Sequence, residues 1–108
     1  MGNHLVVSTE WLKNNLDFCD SRLTHLPGDI FGSRNTAALA WGLTFYRHSN
    51  RLQREFGSNI LAGGGGYFFD QPNIGDRTSV PVRDPDPGQT RVAIIHSHPR
   101  ADQRFGTQ

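Results

Sequence analysis

The stretch Arg91-Val-Ala-Ile-Ile-His-Ser-His-Pro99 constrains this chain more than any other. Val92, Ala93, Ile94 and Ile95 form an unbroken apolar run that leads directly into His96-Ser97-His98. β-Branched residues in such a run favour an extended strand covered on both faces. Side chains two apart in a strand point to the same side. His96 and His98 therefore present two imidazoles on one face, at the carboxyl end of a core strand. Pro99 lacks the N–H that would continue the ladder. A rigid strand end carrying two imidazoles is the platform a divalent metal site needs. Two surface histidines at a strand end would show the same spacing, so the chemistry turns on what joins them.

The rest of the chain must supply the partners of that strand. Its 108 residues suffice for one domain with a modest core. Residues 1 to 7 read as a loose start with a short Leu5-Val6-Val7 run. Ser8 or Thr9 can cap a helix starting near Glu10, in which Leu12, Leu16 and Cys19 share one face. Pro27-Gly28 is a turn. Ser33-Arg-Asn-Thr36 caps a second helix, where Ala37-Ala-Leu-Ala-Trp41 combines high propensity with small side chains suited to packing on a sheet. Phe56, Ile60 and Leu61 fit a strand, and Gly63 to Gly66 a tight hairpin into a second strand at Tyr67-Phe-Phe-Asp70. Residues 72 to 77 read as a loop. Thr78-Ser-Val-Pro-Val82 reads as a short edge strand, and residues 83 to 89 as a turn before the histidine strand. The expected fold is a single α/β domain with two helices and a mostly antiparallel mixed sheet.

Composition excludes several function classes. Ten Arg stand against the single Lys13, but they are scattered and the formal charge is +1, which gives no basic stripe for nucleic acid. The glycine run has no trailing Lys-Ser/Thr, so it is not a phosphate loop. The lone Cys19 rules out a disulfide framework and a multi-cysteine zinc site. No stretch approaches a membrane span, and MGNHLVVSTEW lacks the basic and apolar segments of a secretory signal. His4, His25 and His48 have no motif around them and read as ordinary structural histidines.

Two imidazoles bind a metal weakly, and a catalytic zinc ordinarily has three protein ligands and an open position. Asp102 is the only carboxylate downstream of His98 and is a candidate third ligand if the chain turns back sharply. A hydrolytic centre also needs a base a hydrogen bond away from the attacking water. Only two glutamates exist. Glu10 is accounted for by the first turn of its helix, so Glu55, at the start of a strand that could lie beside the histidine strand, is the better base. An ion pair with Arg51, Arg54 or Arg91 would also account for it.

Glu55-Phe-Gly-Ser-Asn-Ile-Leu-Ala, a hairpin, and then Val92-Ala-Ile-Ile-His96-Ser-His98-Pro99 resembles the JAMM (JAB/MPN) metallopeptidase signature. The nearer likeness is to a JAB-like domain at the carboxyl ends of Rhs-repeat and other bacterial polymorphic-toxin proteins, covered here by Phe31 to Gln108. The resemblance implies a JAB/MPN-like (deaminase-like) fold, with residues 1–30 a helical segment and 31–108 the JAB-like domain. It makes His96 and His98 zinc ligands and Glu55 the residue that activates water. The family's helper serine falls on Gly106, and its ligand aspartate would fall at position 109, past Gln108, so the domain is expected to be incomplete at its carboxyl end unless Asp102 substitutes. The implied activity is zinc-dependent hydrolysis of peptide or isopeptide bonds by a toxin or effector, cytoplasmic or delivered by a bacterial secretion system. Its expected partners are a protein or peptide substrate, an immunity protein or the parent toxin polypeptide. A non-catalytic JAB-like interaction domain with a degenerate metal site is the alternative. Other H-x-H hydrolases need an acid or histidine at positions where Arg100 and Ala101 stand.

Overall fold

The computed structural model describes residues 4–7 and 25–99. Its centre is the strand that carries the histidine pair together with the strand antiparallel to it, and the other elements are laid on these two. The elements in chain order are β1 (His4–Val7), α1 (Arg34–Leu52), β2 (Phe56–Gly63), β3 (Gly66–Phe69), β4 (Asn73–Ile74) and β5 (Thr90–Ser97). They form one mixed sheet in the order β1-β5-β2-β3, with β4 also on β2. β1 runs parallel to β5, while β5, β3 and β4 are each antiparallel to β2. β5 thus has a hydrogen-bonded neighbour on both edges.

Local chemistry explains the main elements. Ser33 caps α1, its hydroxyl accepting from the Thr36 N–H at 3.1 Å, and Gln53 closes the helix in the left-handed region with φ 56°. The β2–β3 turn is Gly64-Gly65 with φ 62° and 90°, and two consecutive positive φ values are what a two-residue hairpin of matching twist demands. α1 lies on one face of the sheet. Its Ala37, Ala38 and Ala40 let the backbone come close, and Trp41 fills the remaining space among Ile60, Phe69 and Ile95. Full burial of an aliphatic side chain such as Ile60 or Ile95 stabilises by about 1.5–3 kcal/mol. Trp41 also donates its indole N–H to the Ser58 hydroxyl at 2.9 Å, and Ser58 donates onward to the Asp70 carbonyl at 3.0 Å.

The architecture departs from the sequence expectation. A five-stranded mixed sheet with one helix among the described residues replaces the two-helix, JAB/MPN-like (deaminase-like) arrangement. The helix expected from residue 10 to 20 lies outside the described residues. Leu5-Val6-Val7, read as a loose start, is a strand paired in register with Ile95, His96 and Ser97. Its partner is ninety residues away, so no local pattern announces it. The strand expected at Thr78–Val82 is irregular chain, and pairing occurs instead at Asn73–Ile74. The cause is local: Asp76 accepts the backbone N–H groups of Thr78 and Ser79, each at 2.8 Å, and folds the segment into a turn. Those same bonds hold the Asp76 carboxyl below its ordinary pKa. Beyond the turn, Val80 and Val82 lie across the sheet face opposite α1, against Gly57.

Candidate metal centre

Strand register assembles the centre. Gly57 of β2 pairs with His96 of β5 in an antiparallel ladder. Two residues further along, the same register sets Glu55 opposite His98. Alternation in β5 turns Ala93, Ile95 and Ser97 into the core beneath α1 and leaves His96 and His98 on the other face. The result is two imidazoles and a carboxylate on one side of two adjacent strands.

The distances are those of a convergent cluster. The Nε2 atoms of His96 and His98 are 3.2 Å apart, and Glu55 Oε2 is 3.9 Å from His98 Nε2. One donor atom from each of the three residues lies within 4.8 Å of the other two. Two nitrogen donors at 2.0–2.1 Å from a tetrahedral ion are separated by about 3.3 Å. The imidazole pair is therefore already at ligand spacing, and the three residues form a grouping compatible with a metal site. Burial depresses the His96 pKa, with the neighbouring His98 and then His4 adding to the effect. A neutral imidazole keeps the lone pair that coordination needs.

The backbone that carries Glu55 and His98 is tied to its neighbours. The Glu55 N–H donates to the Asp76 carbonyl at 2.7 Å, and the Glu55 carbonyl accepts from the Gly75 N–H at 2.8 Å. The His98 N–H donates to the Val7 carbonyl at 3.2 Å, so β1 fixes the end of the histidine strand. Between the two histidines, Ser97 points inward and ties β5 to α1 and β2. Its hydroxyl lies 2.5 Å from that of Ser49 and accepts the Phe56 N–H at 3.0 Å. Glu55, adjacent to Phe56, is thereby anchored to the strand that carries the imidazoles.

The cluster opens into a groove of about 450 Å³. Val80, Val82 and Ile94 give it apolar walls, while Asp84 and Arg91 mark its far end. Gly57 is needed for this shape, because a Cβ there would sit 2.8 Å from Cγ1 of Val80. The wall is secured by the fully buried Asn59, whose amide donates to Asp70 at 2.8 Å and to the Arg83 carbonyl at 2.7 Å. Its side-chain oxygen accepts from Arg91 Nε at 2.7 Å, which aligns the guanidinium along the groove.

Of the four site residues expected from sequence, Glu55, His96 and His98 come together, and Asp102 lies outside the described residues. The Glu55 carboxylate faces His98, with Oε2 3.9 Å from Nε2. His48 lies on α1 beside Arg51, and His25 packs edge-on against Phe31, so neither joins the cluster. His4 is the residue that sequence reasoning passed over. It lines the groove, and its ring stands edge-on to that of His96 at 6.0 Å. The Leu5-Val6-Val7 run was the only signal that could have placed it. Among the described residues no helix is long and apolar enough to cross a membrane. The chain matches no family model, no curated protein and no solved structure.

Proposed function

We propose that this chain is a zinc-dependent hydrolase of peptide or isopeptide bonds, working as a bacterial toxin or effector module. The observation that carries the proposal is the convergence of Glu55, His96 and His98 donor atoms within 4.8 Å at the rim of a groove. The choice of peptide or isopeptide bonds rests on the resemblance of Glu55 and His96-Ser-His98-Pro99 to the JAMM motifs.

In this reading His96 and His98 would hold the ion, their Nε2 atoms lying 3.2 Å apart. A bound zinc ion supplies Lewis acidity, polarising a substrate carbonyl and acidifying water. Glu55 serves as the base: its carboxylate takes the water proton at an Oε atom and returns it to the departing nitrogen. Its burial shields the proton transfer from bulk water. Val80, Val82 and Ile94 lie against the apolar flank of an extended peptide, while Asp84 and Arg91 meet its polar groups farther along.

Metal analysis and peptide cleavage test the proposal together. Purified protein is expected to hold zinc near one equivalent, and His96→Ala to lose it. Glu55→Gln is expected to keep the zinc and lose cleavage of a quenched-fluorescent peptide library by about 10²–10⁴-fold. Zinc content that is equal in the wild type and His96→Ala, or cleavage that survives Glu55→Gln, overturns the proposal. A zinc-loaded wild type that cleaves nothing points instead to a non-catalytic binding domain.

A further inference from the structure

His4 stands in an unusual place for a residue without a role. β1 pairs His4 with Ile94 and Val6 with His96, so His4 shares the sheet face of Ile94, His96 and His98. It sits one diagonal step from His96, within reach for long and aromatic side chains. The two rings are edge-on, 78° between planes, with centroids 6.0 Å apart. Both line the same groove.

Coordination geometry gives this distance meaning. With nitrogen about 2.05 Å from a tetrahedral ion, the centroids of two bound imidazoles lie about 5 Å apart. The His96–His98 pair shows 5.0 Å. His4 lies about 1 Å beyond that separation, and as an exposed side chain it can close the gap by a modest torsional change. We infer that His4 is the third protein ligand of the metal, giving a His4/His96/His98 set. Three imidazoles leave one tetrahedral position open, which is how a catalytic zinc is held. Glu55 is then outside the ligand set, and its carboxylate is available for proton transfer. This rests on the metal reading of His96 and His98.

Untagged protein, stripped with a chelator and titrated with Co²⁺, distinguishes the ligand sets, because tetrahedral Co²⁺ absorbs visible light far more strongly than octahedral Co²⁺. Wild type is expected to develop the intense band at one equivalent. His4→Ala, checked for unchanged circular dichroism, is expected to lose that band and at least about tenfold in affinity, as a site reduced to two protein ligands should. His4→Cys is expected to restore the band and to add a near-ultraviolet sulfur-to-cobalt charge-transfer absorption, which only direct ligation produces. Asp102→Asn is expected to leave the spectrum unchanged. If His4→Ala binds Co²⁺ with the wild-type spectrum and affinity, His4 is not a ligand although the His96/His98 site stands. Bleaching by Asp102→Asn but not by His4→Ala likewise overturns the inference. No Co²⁺ binding by the wild type removes both this inference and the metal reading beneath it.

Discussion

Removing the Ser97 hydroxyl tests how the two halves of the centre are joined. Ser49 commits its proton to the Arg54 carbonyl at 2.6 Å, so at the 2.5 Å contact Ser97 is the donor and Ser49 the acceptor. The Phe56 N–H in turn donates to Ser97 Oγ at 3.0 Å. Ser97→Ala breaks both of the bonds that Ser97 makes. Ser49 retains the Arg54 carbonyl, so its loss is small. Phe56 is 5% exposed, and its N–H is left without a partner in a place water does not readily reach. An orphaned buried donor costs about 1–3 kcal/mol, so a total near 2 kcal/mol is expected. At urea m-values of about 1–3 kcal/mol/M, this lowers the unfolding midpoint by on the order of 1 M. Ser49→Ala also breaks two bonds, to the Arg54 carbonyl and to Ser97, and leaves the buried Ser97 O–H without its acceptor, so it should cost a similar amount. The double variant should show coupling of about 0.5–1 kcal/mol. Hydrogen exchange at the Phe56 amide should accelerate in Ser97→Ala. A stability within about 0.5 kcal/mol of wild type, with Phe56 still protected, would refute the reasoning.

Gly57→Ala puts a Cβ 2.8 Å from Cγ1 of Val80, and crowding of this kind costs about 1–3 kcal/mol. The change should also displace the segment holding Val80 and Val82 and alter the groove; chemical unfolding and backbone shifts of Val80 would report both, and a neutral substitution would show that the segment is not packed on Gly57. Burial, His98 and His4 together lower the His96 pKa in the folded state. In metal-free protein the His96 ring should therefore titrate below the ordinary value of about 6.5 in an NMR pH series. The unfolded chain takes up this proton first, so the contribution of neutral His96 to stability is complete above about pH 6.5 and declines below it. Wild type should lose more stability than His96→Asn between pH 7 and 5; equal losses would show that burial does not hold His96 neutral.

The shared face of the two imidazoles was legible in the chain itself. Val92 to Ile95 specify a strand with both neighbours present, and period-two alternation puts His96 and His98 on one side of it. The glycine hairpin and the Ser33 cap are likewise short-range effects, set by backbone freedom and one side-chain bond. Glu55 could be nominated because only two glutamates exist, but nothing local says what it faces. The tertiary structure decided that through a single register, Gly57 against His96, since a slip of one residue would have turned Glu55 away from the rings. It also decided that Leu5-Val6-Val7 is a strand and that His4 stands beside His96, because a parallel pairing across most of the chain leaves no trace in neighbouring residues. Asp76 likewise turned Thr78–Val82 away from a strand, its carboxylate accepting two backbone N–H groups in a local alternative to the sheet ladder. Local patterns set which groups each strand offers; long-range pairing sets which of them meet.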